Sequence, residues 1–205
     1  MEKILCRECG ALILPMTAES TGGVCMACKQ GIRKSMDASR AYYESLKAYD
    51  PMRELWTSLV NRSSNDRSLT SWSVQEKAYF AMCLLEGEVY NGGFDQYFSN
   101  SSADSYEFAV AGLTEIEALR SLRLVREAAE TLFGENDPPT TQEGRWRIMH
   151  SKARRLSEVV FQHRRGTRLE RLDKEFWTDP DQLGDRLIAY AKQHGLVGPF
   201  ERSAD

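Results

Sequence analysis

No stretch of the 205 residues approaches the roughly 20 consecutive apolar side chains needed to span a bilayer, and neither end carries the apolar run of a secretory signal. A cytoplasmic location is therefore expected. Charge of one sign is also lacking: 27 basic against 30 acidic side chains leave a net −3, too little by itself to announce a nucleic-acid, membrane or polyacidic role. GxSxG, HExxH, P-loop and GxGxxG motifs do not occur, and the three histidines, His150, His163 and His194, are widely spaced, with no Ser or Cys context that would pair a nucleophile with its base. Enzymatic activity is not expected. No fixed-period repeat or low-complexity segment appears. What remains is an ordinary globular chain, 41 % hydrophobic and 28 % charged, long enough for one well-buried domain with a small appendage.

The appendage is at the amino end. "CRECGALILPMTAESTGGVCMACKQG" places Cys6 and Cys9, then Cys25 and Cys28, as two CxxC pairs fifteen residues apart. Two residues between cysteines let a tight knuckle aim both sulfurs at one ion, and Gly10, echoed more weakly by Gly31, tolerates the positive φ that such a knuckle needs. Five cysteines in a reducing compartment favour metal ligation over disulfides, so Cys6, Cys9, Cys25 and Cys28 are expected to hold one structural zinc ion. The intervening residues suggest strands around a Gly22-Gly23 turn, hence a zinc ribbon over 1–34. Four thiolates on one dication would take the net charge from −3 to −5. Cys83, inside an apolar run, reads as a small core residue.

From about Ile32 onward the hydrophobic period is 3.6, which predicts an all-α body over 35–198 with a tail at 199–205. Tyr42 to Leu46 and Met52 to Val60 suggest short helices split at Asp50-Pro51, and "SSNDRS" at 63–68 reads as a solvated linker. Ser73-x-x-Glu76 is a capping box ahead of Val74, Ala78, Ala81, Leu85 and Val89. Thr114-x-x-Glu117 repeats the device before Ile116, Leu119, Leu122, Val125, Ala129 and Leu132, and Gly134 ends that run. Trp146, Met149, Ala153, Leu156 and Val160 fall on one face of a further helix. Asp179 before Pro180 reads as the N-cap of the last one, closed by Gly195.

"EVYNGGFDQYFSN", residues 88–100, is the densest feature of the body. Asn-Gly between strands would signal a hairpin, but here it lies between a capped helix and the i, i+3, i+4 set of Phe94, Tyr97 and Phe98. Asn91-Gly92-Gly93 is therefore read as a helix stop, with the aromatics anchoring a second helix in the core. Glu86, Glu88 and Asp95 are not explained by packing and are expected to be solvated. The stretch "GEVYNGGFDQYFSN" is similar to the signature of a bacterial helical family of unknown function typified by an acidic DNA-mimic protein. The resemblance extends loosely from about Asp50 to His194, "LDKEFW" at 172–177 included, and leaves out the cysteine segment. It implies an all-helical, often dimeric fold that presents acids to a DNA-binding protein, with no catalytic residues to carry over.

The charge pattern can be tested against that expectation. Between Glu86 and Asp137 eleven acids face three arginines, a local −8, and Glu86, Glu88, Asp95, Asp104, Glu107, Glu115 and Glu117 are the candidate partner-binding residues. From Arg145 to Arg171 nine basic residues face two acids, a local +7. A basic protein partner, such as a DNA-binding protein, is the leading expectation. The alternative is nucleic acid held by the 145–171 segment together with Lys29, Arg33 and Lys34. Clustering of the basic segment with the ribbon on one exposed face would favour nucleic acid, and burial of its arginines against the acidic segment would favour a protein.

Overall fold

Ile4–Leu5 (β1) and Leu12–Ile13 (β2) pair antiparallel, Ile4 opposite Ile13 and Leu5 opposite Leu12, which makes a minimal hairpin around the first cysteine pair. Helices follow at Pro15–Thr21 (α1), Met26–Lys29 (α2) and Arg33–Ser45 (α3). The computed structural model describes residues 2–45, 47–66, 68–150 and 156–197, with 156–164 described by backbone only. It separates into two compact units, Met1–Asp50 and Pro51–Asp205. The expected strand on the Gly22 side is absent: Pro15 at the first helical position starts α1, and Gly22 at φ 71 ends it. The appendage is thus a hairpin plus short helices.

The second unit is helical, as the periodicity predicts. Its elements are Pro51–Asn65 (α4), Val74–Ser99 (α5), a 3₁₀ turn at Ser101–Ser105, Tyr106–Glu115 (α6), Leu119–Phe133 (α7), Gln142–Met149 (α8), Leu156–Phe176 (α9) and Leu183–Gln193 (α10). Pro51 opens α4 at the predicted break, and α4 runs on to Asn65, so much of the expected 63–68 linker is its last turn. The Ser73 box forms in full: the Ser73 hydroxyl accepts from Glu76 N, and Glu76 accepts from Ser73 N. Behind this cap α5 buries Ala78, Tyr79, Phe80, Ala81, Met82, Leu85 and Val89, too many sides for a surface stripe, while Val74 stays exposed. It is the central helix, packed by α6, α9, α10 and α8.

The Asn91-Gly92-Gly93 break is real, but the two glycines differ. Gly93 sits at φ 77, whereas Gly92 has φ −159, so only the second uses the left-handed region. The break frees the N–H of Phe94, which donates to Asp173 Oδ1 on α9 at 2.8 Å. Phe94, Tyr97 and Phe98 then enter the core, with Phe94 edge-on to Phe176 and Phe98 edge-on to Phe133.

Two helix starts and one apolar stripe differ from the sequence reading. Thr114 lies inside α6 and bonds back to Val110 O, and Glu117 takes φ 54 in the α6–α7 turn, so no capping box forms there. The N-terminus of α7 is served from a distance instead, by Asp181 Oδ2 accepting from Ser121 N at 2.6 Å. The last helix begins at Leu183, not at Pro180, with Asp179 Oδ1 accepting from Leu183 N. The 146–160 stripe is not one helix: α8 ends at Met149 with His150 as its C-cap, and Leu156 and Val160 belong to α9. Trp146 is exposed and Met149 buried, while Ala153 and the side chains of Leu156 and Val160 lie outside the described residues. Apolar character there does not predict burial, because Trp146 uses its Nε1–H on Ser99 O at the surface.

A Cβ at Gly93 would meet the Asp173 carboxylate at 2.5 Å, whereas one at Gly92 would meet the end of the flexible Gln96 side chain. Gly93→Ala is expected to cost about 2 kcal/mol or more, from left-handed strain plus loss of the Phe94–Asp173 bond. Gly92→Ala should cost clearly less, and urea unfolding of both variants measures the difference.

Candidate functional site

In the N-terminal unit the hairpin turn is pinned by Cys6 N donating to Ala11 O and Gly10 N to Cys6 O, with Gly10 at φ 70. The second knuckle starts at Cys25, which caps α2 by accepting from Cys28 N, and its own N–H donates to Cys6 Sγ at 3.1 Å. Arg7 N bonded to Gly23 O joins the two knuckles. All four sulfurs of Cys6, Cys9, Cys25 and Cys28 consequently lie within 4.8 Å of one another, a set that could hold a metal ion. All four are free thiols, and two of the separations, 3.9 Å for Cys6–Cys28 and 3.7 Å for Cys9–Cys25, are far beyond a disulfide bond, which needs about 2.05 Å. Arg33 Nη2 donates to Cys25 Sγ at 3.1 Å, and that guanidinium holds the Cys25 thiol down at about 6, while burial pushes the Cys28 thiol up. Arg33 is therefore committed to sulfur, which removes it from the expected phosphate contacts. Cys83 packs half-buried against the helical core, where burial pushes its thiol up to about 12.

The seven candidate acids divide by environment. Glu88 is a structural acceptor, not a solvated charge: its oxygens take hydrogen bonds from Gln96, Asn100 and Ser102, which splice the two halves of α5 to the 3₁₀ turn. Asp104 pairs with Arg145 at 2.7 Å, and Glu115 with His194 and the Tyr190 hydroxyl. Asp95, Glu107 and Glu117 are exposed and form no ion pair among the described residues. Glu86 is only half exposed and likewise unpaired among them; burial first, then the Asp179 carboxylate, raises its pKa. Glu135 and Asp137, outside the candidate set, are exposed and unpaired in the same sense.

A cleft of about 300 Å³ gathers some of these acids. Asp104, Glu107 and Asp137 rim it, and Ala103, Tyr106 and Val110 line its apolar part. Spacing in the sequence could not join Asp137 to Glu107. The join is made by Arg145, a residue assigned from sequence to the basic surface and in fact fully buried. Its guanidinium donates to Phe98 O, Asn100 O, Pro139 O and Asp104 Oδ1, which binds the 134–140 loop to the end of α5.

The other described arginines of the basic stretch also turn inward or pair. Arg165 donates to Met149 O, Arg168 pairs with Glu130, Arg171 with Glu127, and Arg147 with Glu143. Lys152, Arg154 and Arg155, with the side chain of Arg164, lie outside the described residues. Of the histidines, His150 stacks on Trp146 and His194 on Tyr190, and the side chain of His163 is outside the described set. No described helix is long and apolar enough to cross a membrane.

These features define a helical protein with acids left over at its surface and a cysteine module at its amino end. The sequence matches the family described as DMP19-like protein over residues 70–194, and the chain belongs to that family. The match spans the α5 break and the Arg145 cleft and leaves the cysteine module outside it. No curated protein and no solved structure matches.

Because burial raises the Glu86 pKa, its charge opposes folding above the raised value, and the penalty vanishes below the ordinary carboxylate range, where it is protonated in both states. Glu86→Gln should raise stability at pH 7 and match the wild type at pH 4 or below in thermal unfolding. An equal stability difference at both pH values would show that the charge is not the cause.

Proposed function

We propose that this chain is a non-enzymatic interaction protein: a structural zinc ion holds its N-terminal module, and the helical unit binds a basic protein through an acidic surface. The ledger of charges carries this reading. Each described arginine of the basic stretch has a partner, Arg145 buried on carbonyls and Asp104, Arg165 on Met149 O, and Arg147, Arg168 and Arg171 at the surface on Glu143, Glu130 and Glu127, whereas Asp95, Glu107, Glu117, Glu135 and Asp137 face solvent without an ion-pair partner among the described residues. Unpaired surface acids of this kind speed and select the approach of a cationic partner. The family resemblance makes a DNA-binding protein the natural class of partner, with the acids standing where phosphates would.

For the module, zinc suits the donor set. A tetrahedral ion with about 2.3 Å bonds to sulfur needs sulfurs about 3.8 Å apart, close to the 3.7 and 3.9 Å separations present. All four positions would be filled by protein, so the ion supports the fold and does not activate a substrate. The module has little else to stand on, since its buried apolar cluster consists of Cys6, Ile13 and Cys25.

Metal analysis of protein purified without chelator should give one zinc per chain, and Cys9→Ser should abolish it while leaving most of the helical circular dichroism. Purified protein free of metal with four titratable thiols would exclude the zinc site.

For the surface, affinity capture from cell extract should recover a basic DNA-binding protein, less of it as salt is added. Glu107→Lys with Asp137→Lys should reduce that capture at least tenfold without loss of helicity. A DNA or RNA gel shift that disappears with Arg154→Glu and Arg155→Glu would replace this reading by the nucleic-acid one.

A further inference from the structure

Helix α3 has no visible means of support within its own unit. It is thirteen residues long, buries none of them, and a helix of that length is marginal in water. Its side-chain hydrogen bonds and ion pairs among the described residues are otherwise local ones, Arg33–Asp37, Ser45–Tyr42 and Lys47–Glu44, and its one side-chain hydrogen bond to another element is Arg33 Nη2 to Cys25 Sγ. The Arg33 side chain is 21 % exposed, and its Nε is buried without a partner, so the guanidinium is drawn in toward the sulfurs and not out to water. At the same time four thiolates around a dication keep two negative charges, and Arg33 is the cation that touches them.

We propose that Arg33 couples the four-cysteine centre to α3, so that metal loading holds α3 helical and α3 in turn strengthens the hold on the metal. The inference rests on the zinc reading above and goes beyond it by giving the ion an effect outside the knuckles. The guanidinium is a positioning group: it bonds to a ligand sulfur, not to the ion, and partners of this kind commonly change metal affinity by 10–100-fold. The first turn of α3 follows directly from the second knuckle, through Ile32 N to Ala27 O and Met36 N to Ile32 O, so fixing Arg33 on Cys25 supplies the costly nucleus from which the rest of the helix propagates. Because coupling is reciprocal, weakening α3 far from the sulfurs must weaken metal binding, at most by the factor by which the metal favours the helical state of α3.

The test uses the full chain, with Zn²⁺ affinity measured by competition against a chromophoric chelator and the state of α3 read from ¹³Cα shifts of residues 33–45. Removing the metal should take those shifts to coil values while α5 and α7 stay helical. Arg33→Gln should weaken Zn²⁺ binding at least tenfold. The pair Ala38→Gly and Ala41→Gly, at two exposed positions of α3, should weaken it severalfold in the wild-type background and leave it unchanged in the Arg33→Gln background. Shifts in α3 that ignore the metal, wild-type affinity in Arg33→Gln, or an equal loss from the glycine pair in both backgrounds would overturn the coupling. A wild-type chain that binds no Zn²⁺ would overturn the zinc reading and the coupling together.

Discussion

Burying a guanidinium is costly unless its donors are satisfied, and the helical unit is arranged around doing so for Arg145. The end of α5, the 3₁₀ turn and the 134–140 loop each bring an acceptor to it: Phe98 O and Asn100 O, Asp104 Oδ1, and Pro139 O. Two of those acceptors are main-chain carbonyls at the close of α5, so one side chain serves the end of the helix and fastens two irregular segments to it. The planar fork matters: a lysine is a point charge and could not span these acceptors. The cleft follows from the same contact, since Asp104 and Asp137 belong to the segments that Arg145 draws together.

The same economy runs through the other charges. Glu88 is used to join Gln96, Asn100 and Ser102 across the α5 break, Asp173 to take the N–H that the break releases, and Asp181 to complete α7. Arg186 takes the carbonyl of Ile116 where α6 ends. These charges have become part of the backbone's hydrogen-bond accounting. What is left for recognition is the smaller set that the fold does not consume, and among the described residues that set leans acidic around the cleft. Glu86 is the intermediate case, a half-buried carboxylate that costs stability and receives no counter-charge from the described fold.

The two units are stabilised by different physics. The helical unit buries a continuous aromatic and aliphatic core. The cysteine module is too small for that and leaves Leu5, Leu12, Leu14 and Met16 exposed, so in the reading proposed above cross-linking by a zinc ion would replace a core.

By itself the sequence determined what depends on residues a few positions apart. The CxxC pairs, the Ser73 box, the stop at Asn91-Gly92-Gly93 and the 3.6 period of the body are local, and each is present as read. Local reading failed at Thr114, at Pro180 and at Trp146 because a matching motif says nothing of which neighbour competes for the same groups. Tertiary structure alone decided that Asp181 would cap α7 across 60 positions, that Asp173 would meet Phe94 across 79, and that Arg145 would serve Phe98 across 47. A buried donor or acceptor must be satisfied by whatever the fold brings within reach, and that partner is chosen by packing, not by spacing along the chain. Whether an individual charge is paired within the described fold or left at its surface was decided the same way.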